Sequence, residues 1–343
     1  MLAHKKLCQM IFCLGFSIAT FNNAFAIEST PNNDKSFDSW VDRLKNQAFS
    51  KGISEETINN AFFDIQQLPS SNNRSNEQIS NYSDLTALIS PQQVLFNKQL
   101  LNHYQDVLFE IKHLFGVDEE VIISLWSMDK QLSASAKPQS AINILSSLSY
   151  QQPANKHLQH ELIQALKIID EGLVSADELR SDFAGNIGSI NFNPTQFRAF
   201  AIDYDGDGIT DLWKSYADIF ASTANFLASI GWKVNQPWGV EVKIPQELDA
   251  KTISTNSQRP LMNWHKLGLR MKNGSDFSQN NRLASLVRLD EVSGRYFLVF
   301  DNYFALLRWK RSSEFALATG IMIDKIKQQK LSSPITPFAK INE

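Results

Sequence analysis

The stretch DEEVIISLWSMDKQL, residues 118–132, predicts an amphipathic helix that carries a carboxylate on its apolar side. At about 100° per residue, one side of this helix displays Val121, Leu125, Met128 and Leu132. Asp129 falls within the same stripe, where an ionised carboxylate is costly unless it is paired. Two interpretations remain open. Asp129 is either a structural residue, paired with an arginine or capping a neighbouring helix, or a carboxyl in a dry cleft that stays protonated and acts as an acid.

The first 26 residues have the organisation of a secretory signal. Lys5 and Lys6 precede an apolar run over residues 7–19, and the sequence AFA at 24–26 supplies a small-x-small cleavage pattern. The apolar run is too short for a membrane-spanning anchor. We therefore expect cleavage after Ala26 and a periplasmic protein, with a peripheral position at the outer membrane left open.

Composition narrows the function classes further. Both cysteines, Cys8 and Cys13, fall in the signal, so the mature chain has no disulfide, no thiol nucleophile and no zinc–thiolate site. The formal net charge is −3, which does not indicate a nucleic-acid partner. With 343 residues in all, the chain is long enough to be held together by its hydrophobic core.

Helical periodicity dominates the chain, and strand patterns appear only late. We expect further helices over residues 37–63 (interrupted at Gly52), 91–114, 139–149, 156–170, 176–180, 215–230 and 312–328, and one that starts near Pro194. Short strands are expected over 240–244 and 296–300, and turn-rich loops over 69–83 and 271–282. The predicted fold class is mainly α (α+β).

Residues 203–211, DYDGDGITD, match the beginning of an EF-hand calcium loop. Carboxylates stand at the first, third, fifth and ninth positions, with a glycine at the sharp turn. We expect a structural Ca²⁺ with these candidate ligands: Asp203, Asp205, Asp207, the carbonyl of Ile209, and Asp218. Asp218 is included because Lys214 replaces the usual final glutamate. The alternative is an Asp/Gly-rich turn without metal.

Several further motifs occur in a fixed order along the chain. They are Phe115-Gly116-Val117 with Leu125-Trp126, then Gly185 and Gly188 with Phe192 and Pro194, then Leu212-Trp213 and Ala224-Asn225-Phe226 behind the calcium-type loop, and finally Asn302 with Arg308-Trp309 and Ser312. In this order they resemble the lytic murein transglycosylase B family of bacterial cell-wall enzymes. The resemblance covers roughly residues 37–327.

The resemblance implies a lysozyme-like core with a helical domain and a small β domain. The corresponding boundaries are 1–26 for the signal peptide, 27–114 for the helical domain, 115–237 for the core with its calcium-type loop at 203–218, 238–300 for the β segment, and 301–330 for a C-terminal motif and helix that complete the core. Members of the family cleave the MurNAc–GlcNAc bond of peptidoglycan without water and form a 1,6-anhydro ring. One carboxylic acid serves as both acid and base, a role that the resemblance assigns to Asp129.

This chain departs from the family at several positions that carry chemistry. Aspartate replaces the catalytic glutamate at 129, and the shorter side chain loses about 1.5 Å of reach. The resemblance implies a substrate-binding set of Asn191, Asp182, Ser189, Asn302, Lys310 and Phe315. Of these, all except Asn302 differ from the family residue. Lys130, beside Asp129, is a cation that could influence the carboxyl.

Three function classes follow, of which the first is our prediction and the other two are alternatives. The first is a lytic transglycosylase with an atypical active site, in which Asp129 projects into an open cleft without a cationic partner. The second is a catalytically inactive protein that binds peptidoglycan glycan strands or cell-envelope proteins on the same scaffold. The third is a calcium-stabilised interaction module without glycan affinity. No catalytic cofactor is expected in any of them.

Overall fold

The computed structural model describes residues 36–69, 89–133, 138–277, 281–289 and 294–328. Side chains are described for all of these except residues 132 and 133. The predicted signal peptide and nearly all of the predicted loop at 69–83 lie outside this part of the chain. Within it, twelve α-helices and seven β-strands form the fold. None of these helices combines the length and the hydropathy that a bilayer crossing requires.

The N-terminal region consists of short, capped helices: α1 (Phe37–Ser50), α2 (Glu55–Ala61), α3 (Pro91–His103) and α4 (Gln105–Phe115). The predicted interruption at Gly52 is confirmed, and Ser54 caps α2. The helix predicted over 91–114 is two helices, because Tyr104 leaves the helical conformation. Its ring stacks on Tyr216, with 5.0 Å between the centroids, which ties this region to the core.

The central helix is α5 (Glu119–Ser133), and it is surrounded rather than half-exposed. Every residue from 121 to 129 is buried, so the helix has no solvent-facing side along this stretch. Four helices follow it in the chain: α6 (Ala141–Gln151), α7 (Lys156–Asp170), α8 (Pro194–Phe200) and α9 (Tyr216–Ser229). The predicted helix near Pro194 is confirmed as α8, which Asn193 and Gln196 start with a capping box.

The helix predicted over residues 176–180 is wrong. This segment is a turn that ends in strand β2 (Arg180–Ser181), which pairs antiparallel with β1 (Gln139–Ser140). The carbonyl of Leu179 accepts a hydrogen bond from the amide of Ala141 at 3.0 Å. Five residues are too few for a helix to repay its nucleation cost, and these strand contacts take its place.

A small antiparallel sheet contains β3 (Gly239–Lys243), β4 (Ser254–Pro260), β5 (Arg270–Met271), β6 (Leu283–Arg288) and β7 (Tyr296–Val299), in the order β4-β6-β7-β3-β5. The strands predicted near 240 and 296 are confirmed as β3 and β7. Strands β4 and β6 were missed, and helix α10 (Leu261–Lys266) connects β4 to the strands that follow. Trp264, which is fully buried, belongs to a separate hydrophobic cluster in this region.

The chain then returns to the central helix through α11 (Asp301–Lys310) and α12 (Ser313–Gln328). Arg311, at a φ of 53°, makes the tight turn between them. Helix α12 packs against α5, and Lys327 reaches Asp118 at the start of α5 with a distance of 3.2 Å between the charged atoms. This return brings residue 310 next to residue 129.

Candidate active site

Asp129 lies in the last described turns of α5 and is enclosed. Its side chain is 1 % exposed. The Lys310 ammonium donates to Oδ1 at 2.5 Å, and the Trp309 indole N–H donates to Oδ2 at 3.2 Å. The expectation of a carboxyl that faces an open cleft without a cationic partner is therefore wrong.

The two donors determine what this carboxyl group can do. A lysine ammonium and an indole N–H can only donate hydrogen bonds, so both oxygens of Asp129 act as acceptors here. A general acid must instead present a proton to the leaving oxygen of its substrate. The observed arrangement is close to the structural interpretation, a buried aspartate in an ion pair, although its partner is Lys310 and not an arginine.

Lys130, the cation that the sequence places beside Asp129, has a different contact. Its ammonium lies 4.9 Å from the centroid of the Trp126 ring. Burial lowers the pKa of Lys130. Lys130 also lines the cleft described below, so it contributes a positive charge next to the enclosed carboxylate.

The loop that follows β2 is fixed by close backbone approach. Gly188 has a φ of 72°, and a Cβ at this position would come within 2.6 Å of Cβ and 3.0 Å of the carbonyl oxygen of Leu212. The next residue, Ser189, donates its amide to that carbonyl at 2.8 Å. The Trp126 indole donates to the Ser189 hydroxyl at 3.2 Å and so ties the loop to α5.

Asn191 lies at the tip of this loop. Ile187 and Phe192 exchange backbone hydrogen bonds of 2.6 and 3.1 Å, which leaves Asn191 to turn the chain at a φ of 52°. Asparagine is among the few residues that tolerate this left-handed conformation. The predicted substrate-binding residue therefore also has a conformational role.

The carboxylate of Asp182 organises its own loop. Oδ1 accepts the amides of Ala184 and Asn186 at 2.8 and 2.9 Å, and Oδ2 accepts the Asn186 side-chain amide at 3.0 Å. These contacts hold the turn before Gly188 in place. Both of its oxygens are thus engaged within the loop itself.

An open cleft of about 370 Å³ lies beside this loop. It is lined by Lys130, Pro138, Arg180, Ser181, Asp182, Asn186, Gly188, Ser189, Asn191 and Trp213. Three of the predicted substrate-binding residues, Asp182, Ser189 and Asn191, are among them. Asp129 is not, although its neighbour Lys130 is.

The other three predicted substrate-binding residues are engaged elsewhere. Asn302 is fully buried, and its amide binds the backbone of Lys233 and Gln236 at 2.7 to 2.9 Å. Phe315 is fully buried in the core, and Lys310 is the partner of Asp129. Direct substrate contact by Asn302 and Phe315 is inconsistent with their burial.

The calcium-type loop gathers three of its five predicted ligands. One carboxylate oxygen from each of Asp203, Asp205 and Asp218 lies within 4.8 Å of the other two. A common Ca²⁺ about 2.4 Å from each oxygen fits this spread, and hard oxygen donors suit calcium. Asp207 is outside this cluster, and its carboxylate accepts the amide of Ile209 at 2.8 Å. Ligation by Asp207 and by the Ile209 carbonyl stays a prediction.

Asp218 is the buried member of the cluster. Burial raises the pKa of Asp218, and the nearby Asp205 charge acts in the same direction. Three backbone amides, from Tyr204, Asp205 and Asp211, partly compensate at 2.8 to 3.4 Å. The residues present fit a divalent cation in their donor chemistry and spacing.

Comparison with protein families settles the resemblance. The family model described as "Transglycosylase SLT domain" matches residues 36–324, which is most of the chain. The chain belongs to the transglycosylase SLT domain family. The mainly α fold with a small antiparallel sheet confirms the predicted fold class.

Individual members of the family show how far the similarity extends. SltB3 from Pseudomonas aeruginosa, solved with NAG-anhNAM-pentapeptide, is 30% identical with a TM-score of 0.76 over 86% of this chain and 80% of that chain. Membrane-bound lytic murein transglycosylase B of Escherichia coli K12 is 25% identical over 67% of this chain. That match spans 63% of the E. coli protein's length. Slt35 from E. coli, solved with calcium, has a TM-score of 0.70 at 21% identity, over 87% of this chain and 94% of that chain, which shows the shared fold.

Proposed function

We propose that this SLT-domain protein binds peptidoglycan glycan strands in the cleft beside residues 182–191 and does not cleave them through Asp129. The proposal adopts the second function class above. The observation that carries it is the enclosure of Asp129, whose two oxygens accept hydrogen bonds from Lys310 and Trp309. Without a proton directed at a glycosidic oxygen, the single-carboxylate reaction lacks its acid.

The cleft itself supports glycan binding. Its lining combines the Trp213 indole with hydroxyl and amide groups from Ser189, Asn186 and Asn191. Apolar aromatic surface beside a few convergent polar groups is the usual composition of a small-ligand site. Arg180 and Lys130 add positive charge, which suits the carboxylates of peptidoglycan. That the relative SltB3 is solved with a disaccharide pentapeptide is consistent with the same ligand class here.

Cleavage with 1,6-anhydro product remains the second candidate function. Family membership favours it, as does the position of Asp129, one residue from a residue that lines the cleft. For Asp129 to act as the acid and base, the Lys310 ammonium would have to leave it and the carboxyl would have to become accessible. Analysis of the soluble products from murein sacculi for 1,6-anhydromuropeptides separates the two candidates.

We expect the mature protein to sediment with purified murein sacculi and a charge reversal in the cleft to weaken this binding. Arg180→Glu is expected to lower the fraction bound about tenfold, because it places a negative charge where anionic glycopeptide would lie. Arg43→Glu, on the exposed surface of α1, changes the net charge identically and is the matched control. Co-sedimentation at fixed ionic strength measures both variants.

If Arg43→Glu weakens sedimentation as much as Arg180→Glu, the binding is non-specific attraction and the cleft is not the site. If the unmodified protein does not sediment at all, the third function class, an interaction module without glycan affinity, replaces the proposal.

We also propose that the calcium-type loop holds a structural Ca²⁺ through Asp203, Asp205 and Asp218. The ion would neutralise carboxylates that now approach one another, and it would hold the start of α9 against the 203–211 loop. It would take no part in chemistry at the cleft. The support is the convergence of three oxygens within 4.8 Å on residues of this chain.

Removal of calcium is expected to lower the melting temperature. A site occupied at a concentration about 100-fold above its Kd contributes about 2.7 kcal/mol to stability. EDTA should therefore lower the melting temperature by several degrees, and Asp205→Ala should abolish the difference between samples with and without EDTA. Asp276→Ala, an exposed aspartate of the β region, is the control and should preserve it. Identical melting curves with EDTA and with excess Ca²⁺ would contradict the proposal.

The predicted periplasmic location accompanies this function. Peptidoglycan lies outside the cytoplasmic membrane, and residues 1–26 carry the pattern of an export signal. The signal itself lies outside the described residues.

A further inference from the structure

A second cavity, larger than the cleft, lies between the small sheet and α12. Its volume is about 970 Å³, and its lining shares no residue with that of the cleft. Apolar side chains of Val240, Met271, Phe297 and Ile321 form part of its wall. A cavity of this size with a partly apolar wall is large enough for a ligand of several residues.

One charged group in the wall is already neutralised. Arg295 donates two hydrogen bonds of 3.0 Å to Glu241, and Lys272 donates a third of 2.9 Å. Burial raises the pKa of Glu241, but the two cations lower it by more, so the net shift is downward. The Arg295 guanidinium also lies over the Phe297 ring at 5.3 Å, which fixes its plane. Glu241 is thus part of the wall's structure and is not available to a ligand.

Asp324, on α12, is the contrasting carboxyl of the same cavity. It forms no ion pair within the described residues, and Lys327, three positions further along, pairs with Asp118 instead. Burial raises the pKa of Asp324 to about 6, whereas the Trp238 indole and Lys327 act in the opposite direction. Asp324 is therefore a half-buried carboxyl that forms no ion pair within the described residues and lines the cavity as an acceptor.

The surroundings of Asp324 are rigid. Trp238 is 3 % exposed and packs closely against α12. This packing requires a glycine at residue 320, because a Cβ there would come within 2.4 Å of the indole ring. Asp324 follows Gly320 by one helical turn. The Trp238 N–H is close enough to affect Asp324 but outside hydrogen-bonding geometry, and it has no other partner in the described part of the chain. The half-buried Asp324 carboxyl therefore lines the cavity on a rigid stretch of α12, next to the buried Trp238 indole.

The charges of the wall define the ligand that fits. Lys272, Arg295 and Lys325 outnumber Glu241 and Asp324, so the cavity favours a ligand with carboxylates. Asp324 additionally requires an ammonium or another strong donor. We propose that this cavity is a second ligand site, specific for a zwitterionic peptide whose ammonium group pairs with Asp324.

This inference deepens the proposed function, on which it rests, by naming the peptide stem of peptidoglycan as the ligand class. A glycan strand in the cleft carries such peptides, and a site outside the cleft would add a contact without a new binding partner. The two sites make separable contributions because their lining residues differ.

The test uses isothermal titration of the mature protein with two soluble disaccharide pentapeptides. In one, the peptide contains a diamino acid with a free side-chain amine, and in the other that amine is acetylated. We expect the free-amine compound to bind about tenfold more tightly than the acetylated one, because only it can form a charge-assisted hydrogen bond to Asp324. Asp324→Asn should remove this difference and leave the affinity for the acetylated compound unchanged.

The variant is expected to fold. A carboxyl with a raised pKa stabilises the folded state only when neutral, so its contribution is full below the ordinary value of 3.8 and is lost as the pH rises through about 6. At pH 7 the neutral amide of Asp324→Asn should therefore be at least as stable as the ionised carboxylate. Asp301→Asn, at an exposed ion pair with Lys233, is the matched control and should preserve the discrimination between the two compounds.

Equal affinity of the unmodified protein for both compounds would overturn the inference, as would discrimination that survives in Asp324→Asn. The proposed function is judged separately, by sedimentation with sacculi. Sedimentation that depends on Arg180, together with no amine discrimination, would leave the glycan cleft standing and remove only the second site.

Discussion

Replacement of Lys310 by methionine is expected to lower the free energy of unfolding by about 3 kcal/mol. Methionine keeps much of the side-chain volume but leaves the carboxylate of Asp129 buried without its cation. Breaking a buried ion pair by removing one partner costs about 3–5 kcal/mol. The lower end applies because Lys310 is 22 % exposed and Trp309 still donates to Asp129. For a chain of this size the melting temperature should fall by roughly 4–5 °C.

The matched control is Lys327→Met. Lys327 pairs with Asp118 at 3.2 Å, but its side chain is 44 % exposed, and a surface pair contributes at most about 1 kcal/mol. The double variant Asp129→Asn/Lys310→Met removes both charges and should recover most of the loss. Urea unfolding of the unmodified protein, Asp129→Asn, Lys310→Met and the double variant gives the coupling free energy between the two side chains. We expect this coupling to exceed about 2 kcal/mol. Equal effects of Lys310→Met and Lys327→Met would show that the pair is not a buried one.

Replacement of Gly188 by alanine is expected to be similarly costly, for a steric reason. The new Cβ would lie 2.6 Å from Leu212 Cβ and 3.0 Å from its carbonyl oxygen, so the loop or the segment around residue 212 must move. Overpacking of this kind costs about 1–3 kcal/mol. The left-handed backbone at a φ of 72° adds about 1–2 kcal/mol for a residue with a side chain.

Gly274→Ala separates these two contributions. Gly274 has a φ of 88°, yet a Cβ there would meet nothing within 4 Å. Gly274→Ala should therefore lose only the stability that the left-handed backbone costs a residue with a side chain. The difference in unfolding free energy between the two variants should then measure the steric contact with Leu212. Equal destabilisation of the two variants in urea unfolding would contradict the close approach seen in the structure. Sacculus binding by Gly188→Ala should also weaken, because Ser189 and Asn191 shift with the loop.

The local parts of this molecule were predictable from sequence. Glycines and asparagines between residues 185 and 193 indicate a loop, and Pro194 begins α8 as expected. The strands β3 and β7 were found because they are rich in β-branched and aromatic residues. Strand β4, STNSQRP, lies at the edge of the sheet and carries few such residues, so only its pairing with β6 identifies it.

The environment of Asp129 was not predictable in the same way. The helical projection placed this residue correctly on an apolar surface, but its partner comes from α11, 181 residues further along the chain. Only the tertiary fold brings the two together. A usable signal did exist in the departures from the family, because a shorter acid at 129 and a new cation at 310 complement each other. Considered separately, each indicated only a lost function.

The same limit applies to Asn302 and Phe315. Their motif was recognised, but a motif does not reveal whether an amide contacts a ligand or the backbone. In the structure the Asn302 side chain satisfies backbone groups of Lys233 and Gln236, which explains its presence without any substrate. A family motif therefore did not distinguish residues that contact a ligand from residues that hold the fold together.

The most direct test of the central claim is the analysis of soluble products from murein sacculi incubated with the mature protein. Mass spectrometry detects 1,6-anhydromuropeptides, and the membrane-bound lytic murein transglycosylase B of E. coli serves as the positive control. With Asp129 held by Lys310 and Trp309, we expect sacculi to bind the protein and to release no 1,6-anhydromuropeptides above the buffer control. Release of these products by the unmodified protein, and its loss in a folded Asp129→Asn variant, would contradict the account and identify Asp129 as the catalytic acid.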